Sequence, residues 1–199
     1  MRQPGRVILA SQSAARAAVL TAAGVVFEAR PARIDEAAIK AAGRAEGAGP
    51  DDVALTLAGL KARRIREPGA VVVGADQLLV CEGRWFDKPA DLAEARDHLL
   101  ALRGRSHALV TAILCYRDGV EIWRHLARPS LTMRAFSDAF LDQYLALEGD
   151  ELLGSVGAYR LEGIGAQLFD RVEGEHAAVL GLPLLPLLGF LRQCGVLTS

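Results

Sequence analysis

Residues 70–81, AVVVGADQLLVC, place a carboxylate in the middle of an otherwise apolar run. An apolar, β-branched segment of this length, bounded by Pro68-Gly69 and Glu82-Gly83, predicts a buried strand. Burying Asp76 there without a partner is costly. Two arrangements resolve the conflict. Either a cation holds the carboxylate, or Gly74 kinks the strand and Asp76 stands in a cleft. A strand-borne Asp in such a place commonly binds metal or acts as a base. The plainer alternative is an edge-strand residue turned to water.

Around this run, strand and helix signals alternate. Residues 6–10 (RVILA) predict a short buried strand, and Ser11 and Ser13 offer N-caps to an Ala-rich helix over 14–23 that Gly24 ends. Residues 25–31 read as a second strand. The Ala/Gly-rich stretch 36–49 reads as a weak helix and a loop. Pro50-Asp51-Asp52 opens a stronger helix to about residue 66, with Val53, Leu57, Leu60 and Arg64 at one-face spacing. The 70–81 strand is interrupted at Gly74-Ala75-Asp76 on this reading, and a tight turn leads to a short strand at 84–86. A helix over 91–102 stops at Gly104. Asp118-Gly119 joins two long strands, 107–116 and 120–133, as a hairpin. Ser137 caps a helix to residue 147, residues 154–176 read as loops and short strands, and residues 183–195 close with a helix. The fold class is mixed α/β with a curved central sheet flanked by helices, since hairpins exclude a purely parallel sheet.

A length of 199 residues predicts a single domain, 1–199, in two lobes at most. With 23 Lys+Arg against 24 Asp+Glu, the chain is no nucleic-acid polycation, and any positive potential is local. Cys81, Cys115 and Cys194 are far apart with no CxxC, which argues against a zinc site or a disulfide framework and suits a reducing cytoplasm. The apolar run 7–10 is too short for a signal peptide core. The apolar stretch 179–191 contains Pro183 and Pro186 and falls short of a span of about 20 residues. No membrane or nucleic-acid partner is expected.

Other segments carry chemistry by residue type. In Ala10-Ser11-Gln12-Ser13-Ala14-Ala15-Arg16 a strand runs into a hydroxyl-rich turn and a helix start. Free N–H groups, two hydroxyls and an Arg one turn in make a phosphate cradle, or a plain N-cap with a solvated Arg. Lys88 follows a short strand and projects toward the same cleft or into water. Lys61 adjoins the apolar stripe of its helix, where it snorkels or serves the site. Residues 157–163 (GAYRLEG) form a Gly-flanked polar segment. GxGxxG, GxSxG, HExxH and Walker A patterns are absent, and the four His show no ligand spacing.

Taken together, ILASQSAAR at 8–16, GADQ at 74–77, DKP at 87–89, GRSHALVTA at 104–112, GAYRLEGIGAQLF at 157–169 and VEGEHAAVLGLPL at 172–184 resemble the successive motifs of the Maf family, in order and across nearly the whole chain. These are nucleoside triphosphate pyrophosphatases, once called septum-formation inhibitors. The resemblance implies a two-lobed α/β fold with a deep cleft, shared with inosine triphosphate pyrophosphatases. It also implies hydrolysis of a nucleotide between the α- and β-phosphates with a divalent metal, Mg²⁺ or Mn²⁺. Residue by residue, Ser11 and Arg16 would grip phosphate, Lys61 and Lys88 would neutralise it, and Asp76 would be the general base. Asp76 with Asp35, next to Glu36, would serve the metal.

The family usually reads Ser-x-Ser-Pro-Arg-Arg, or Ser-x-Ser-Pro-Trp-Arg in a 7-methyl-GTP branch, where this chain has Ala14 and Ala15. Gln77 and Glu162 match that branch, whereas the branch acting on dTTP and UTP has Thr and Gln there. The leading expectation is therefore a pyrophosphatase for modified nucleotides such as 7-methyl-GTP, cytoplasmic and a possible homodimer. The alternatives are a pyrimidine pyrophosphatase of the same family and a catalytically weak regulator of septum formation.

Overall fold

The computed structural model describes residues 3–198. In chain order the elements are β1 (Val7–Leu9), α1 (Ala14–Ala22), β2 (Glu28–Ala29), α2 (Glu36–Ala45), α3 (Pro50–Arg64), β3 (Val71–Cys81), β4 (Arg84–Phe86), α4 (Leu92–Leu102), β5 (Ser106–Arg117), β6 (Val120–Ala127), β7 (Ser130–Met133), α5 (Asp138–Glu148), β8 (Phe169–Glu173), α6 (His176–Val179) and α7 (Leu184–Gln193). Turns of 3₁₀ helix cover Gly149–Gly154 and Ile164–Leu168. The chain forms two compact units, one running to Gln77, taking Thr111–Ala127 and resuming at Glu175, the other formed by Leu78–Val110 and Arg128–Gly174. Strands β3 and β5 each contribute a part to both. No helix among the described residues is long and apolar enough to cross a membrane.

In the first unit β1 pairs in parallel with both β2 and β3, Ile8 lying opposite Glu28 and Val72. Residues of β3 then alternate between two covered faces. Val71, Val73 and Ala75 join Leu9, Leu20, Leu187 and Leu191 in one buried cluster under α1 and α7. Val72, Gly74 and Asp76 turn to the other face, toward α3. Both faces being covered explains why the sequence reads as a continuous apolar run rather than an alternating one. Burial of side chains as large as Leu20 and Leu57, each fully enclosed, stabilises by about 2–5 kcal/mol apiece against truncation to Ala.

The strand does not break at Gly74-Ala75-Asp76, where the sequence suggested an interruption. The glycine serves packing instead. A Cβ at Gly74 would stand 2.0 Å from the Ala58 carbonyl oxygen and 2.8 Å from the Ala62 backbone nitrogen. Helix α3 therefore lies with its backbone directly on β3, a distance only glycine permits. The stretch 36–49 resolves into a real helix, α2, because Asp35 caps it by accepting from Ala38 N at 3.0 Å. The expected strand 25–31 contracts to the pair Glu28–Ala29.

In the second unit β4 returns on β3 through Glu82-Gly83, both at positive φ, as a two-residue hairpin requires. The expected long strand 120–133 appears as β6 and β7, separated at Arg128-Pro129. Its pairing is nevertheless continuous: Thr111 opposes Ala127 and Ala108 opposes Ser130 in one antiparallel register. Pro129 has no N–H to give the ladder, although its carbonyl accepts from Leu109 N at 3.0 Å. Strand β8 completes the edge beside β7, with Leu131 opposite Val172. The mixed sheet flanked by helices agrees with the expected class.

Gly74→Ala should destabilise the fold by about 3 kcal/mol, because the clash is with backbone that cannot rotate away. Denaturant unfolding monitored by circular dichroism checks this. A loss below about 1 kcal/mol would show that α3 shifts freely and that the close approach is not a constraint.

Candidate active site

Asp76 is 3% exposed and its Oδ1 lies 2.7 Å from Lys61 Nζ, itself on a residue 7% exposed. The same ammonium reaches Glu36 Oε1 at 2.8 Å. Three elements deliver these groups. β3 turns Asp76 toward α3, the Gly74 contact sets the separation of α3 from the strand, and α2 presents Glu36 from its first turn. Of the two resolutions posed by the sequence, a cation holding the carboxylate is the one the structure adopts. Asp76 Oδ2 is buried and has no hydrogen-bond partner. A buried carboxylate oxygen left open is expensive unless something else uses it.

The β1–α1 turn lies in the same unit. Ser13 caps α1, its Oγ accepting from Arg16 N at 3.3 Å. Ser11 Oγ accepts twice, from Ser13 N and from Arg16 Nη1, each at 3.2 Å. A hydroxyl that accepts twice keeps its own proton to donate. Arg16 Nε donates to Gly181 O at 2.8 Å. Gly181 adopts φ +91°, and a Cβ there would stand 3.1 Å from Arg16 Nε, so the bare backbone lets the guanidinium sit close. Burial pulls the Arg16 pKa below the ordinary guanidinium value, opposed by the fields of Asp76 and Glu36. The serines and Arg16 thus form one connected cradle.

Gln77 follows Asp76 on the opposite face of β3. Its Nε2 donates to Thr111 Oγ1 at 2.8 Å, to Ala178 O at 3.0 Å and to Val179 O at 3.1 Å. Asp35, expected near the metal, is exposed and serves as the α2 cap; it is the adjacent Glu36 that reaches Lys61.

Lys88 and Glu162 belong to the second unit. Lys88 is exposed just after β4. Glu162 pairs with Arg160 Nε at 3.7 Å, and Arg160 Nη1 also faces Glu148 at 3.3 Å and Glu151 at 3.4 Å. The turn that carries them has Gly157 and Ala158 both at positive φ, an uncommon state for alanine. Beneath it Tyr159 Oη lies 2.8 Å from His107 Nε2, both residues being buried, and Phe169 packs on both rings. Sequence reasoning did not single out Thr111, Gly181, His107 or Tyr159. Thr111 lies within the quoted motif GRSHALVTA, and its further signal was a small hydroxyl inside the apolar run 107–116, the same kind of signal that marked Asp76.

Comparison with known proteins agrees with these motifs. A family model described as Maf, Maf-like protein, matches residues 6–194. The chain is 56% identical over 195 residues to a nucleoside triphosphate pyrophosphatase of Granulibacter bethesdensis, covering 97% of this chain and 99% of that protein. It is 51% identical to a nucleoside triphosphate pyrophosphatase of Rhodospirillum rubrum, covering 97% and 96%. It is 47% identical to a 7-methyl-GTP pyrophosphatase of Rhizobium meliloti, covering 97% and 98%.

The buried histidine gives a pH test. Burial pushes the His107 pKa down to about 4, against about 6.5 for an unfolded histidine. Below pH 6.5 the unfolded chain gains a proton that the folded chain refuses, so stability is full above that pH and falls toward pH 4. By linkage the fall from pH 7.5 to pH 5 should be about 2 kcal/mol, and His107→Gln should remove that part of the slope. Equal slopes for the two proteins in urea unfolding would contradict a neutral buried His107.

Proposed function

The chain belongs to the Maf family, and from that premise we propose that it hydrolyses nucleoside triphosphates to a monophosphate and pyrophosphate. The observation that carries this reading is the Asp76 carboxylate, with one oxygen held by Lys61 and the other buried without a partner. A carboxylate fixed by one oxygen presents the other as an oriented proton acceptor. The names of the similar proteins point to the same chemistry.

In this reading Asp76 Oδ2 takes a proton from water as the water oxygen attacks the α-phosphorus. The bond from that phosphorus to its bridging oxygen breaks, and pyrophosphate leaves as a unit. A triphosphate brings about four negative charges, so the cations must be local in a chain of near-zero net charge. Arg16, with the Ser11 hydroxyl and the amides at the start of α1, binds phosphate oxygens. Lys61 holds Asp76 in place while sharing the charge, and Lys88 contributes a further cation in the second unit.

A divalent cation, Mg²⁺ or Mn²⁺, fits the donors present. Glu36 and Asp76 are hard oxygen donors on either side of the Lys61 ammonium, and an ion held beside them would orient the water whose proton Asp76 Oδ2 takes. Among the described residues no group of three or more His, Cys, Asp or Glu side chains is placed to hold a metal. Mg²⁺ needs only one or two carboxylates and completes its shell from water and phosphate. When bound, such an ion polarises the phosphoryl oxygens and shares the charge on the leaving pyrophosphate.

For the base, Glu162 supports a guanine-type substrate. The guanine edge offers N1–H and N2–H₂ side by side, and a carboxylate accepts both in a charge-assisted pair. Methylation at N7 adds positive charge to the ring and strengthens that pairing, which puts 7-methyl-GTP first.

Two measurements test this. Asp76→Asn should fold normally and lose at least about 10²-fold in kcat, because an amide cannot take the proton; turnover within about threefold of wild type would remove Asp76 from the role of base. In a pyrophosphate-release panel with Mg²⁺ or Mn²⁺, wild type should prefer 7-methyl-GTP over UTP and dTTP. Glu162→Gln should lower that preference about tenfold, since the amide carries no charge and cannot accept both guanine donors in a charge-assisted pair. An unchanged ratio would take Glu162 out of base selection, and release from no nucleotide at all would favour the regulatory alternative.

A further inference from the structure

The amide of Gln77 points in one direction only. Its Nε2 faces Thr111 Oγ1 at 2.8 Å and the carbonyl oxygens of Ala178 and Val179 at 3.0 and 3.1 Å. Rotating the amide by half a turn would put Oε1 against two carbonyl oxygens, acceptor on acceptor. The two backbone carbonyls therefore settle an orientation that side-chain amides otherwise leave open. Thr111 completes the lock. It is fully buried, and its hydroxyl donates to Ala178 O at 3.1 Å, which turns its lone pairs toward the Gln77 N–H. Both hydrogens of Nε2 are thus committed to the protein, and no described residue donates to Oε1. What Gln77, half-buried beside Asp76, retains for a ligand is one acceptor.

We propose that Thr111 is a positioning residue that fixes the Gln77 amide with its carbonyl oxygen outward, so that Gln77 recognises a hydrogen-bond donor on the substrate and rejects an acceptor. The proposal rests on the nucleotide reading above and deepens it. A glutamine free to rotate reads donors and acceptors alike and so selects little. A locked one discriminates, because an acceptor placed against it leaves two oxygens facing each other without a proton. The exocyclic N2–H₂ of guanine keeps a second hydrogen beyond the one that pairs with Glu162, and an outward amide oxygen accepts it. Uracil flanks its single N–H with two carbonyl oxygens, each of which an outward amide oxygen repels. The lock therefore favours a donor-rich purine face over a pyrimidine one.

The experiment compares wild type with Thr111→Val, Thr111→Ala and Thr111→Ser in two assays. The first is pyrophosphate release from GTP and from UTP with Mg²⁺. The second is hydrogen exchange of the Gln77 side-chain NH₂ by nuclear magnetic resonance, its signals assigned by their loss in Gln77→Met. Wild type should show slowly exchanging Gln77 amide protons. Thr111→Val, which keeps the shape and removes the hydroxyl, should speed that exchange and lower the GTP-to-UTP ratio of kcat/KM about tenfold. Thr111→Ser should restore both, and Thr111→Ala answers the same question if the valine variant does not fold. A residue that only supported the fold would lower both nucleotides together and leave the ratio alone. An unchanged ratio in the Val and Ala variants, or fast exchange in wild type, overturns the proposal. If wild type releases pyrophosphate from neither nucleotide and not from 7-methyl-GTP, the enzymatic reading fails and donor selection fails with it, while the exchange measurement still decides the lock by itself.

Discussion

The close approach of α3 to β3 at Gly74 is the contact on which the rest of the candidate site depends. The Ala58 carbonyl stands where a side chain at residue 74 would have to be. Because the helix lies directly on the strand, Lys61 is within 2.7 Å of a carboxylate two residues further along β3. Removing two charges from water costs several kcal/mol per ion, and only good geometry offsets it. A helix set further out would lengthen that pair and leave Asp76 charged and alone among apolar neighbours. Gly74 is thus a constraint on chemistry expressed as a constraint on packing.

Much of the architecture was legible because local rules and tertiary needs agree in it. Residues 70–81 read as a buried strand and form one; Ser13, Asp91 and Ser137 cap the helices that follow them. Differences arose where one residue answers to two demands. Gly74 looked like a strand breaker because its partner, Ala58, is remote in sequence. Pro129 divides what is one register into two strands because it lacks a single hydrogen. The helix α2 looked weak by composition, and its Asp35 cap overrides that weakness.

The site was legible in part for a related reason. Asp76 stood out because a charge in an apolar run demands explanation. Ser11 and Arg16 stood out because a strand–turn–helix junction with hydroxyls is a recognisable local unit, and the structure joins them through Ser11 Oγ. The Gln77–Thr111 contact joins residues 34 positions apart, and its other partners are backbone carbonyls, which carry no residue identity. No pattern in the chain marks which carbonyls will face an amide. The His107–Tyr159 pair, 52 residues apart, was hidden in the same way.

The partners of each cation separate their roles. Lys61 faces two carboxylates, so an incoming anion can only share an ammonium that they already hold. Arg16 is held by a carbonyl and a hydroxyl, which fix its position and leave its charge uncancelled at contact distance. An incoming phosphate therefore gains more from Arg16 than from Lys61, since pairing with Lys61 means competing with carboxylates already in place. Arg16 also feels the fields of Asp76 and Glu36. On the reading proposed above, a triphosphate that carries a divalent ion meets the guanidinium and these carboxylates with opposite charges at once, which a bare anion does not.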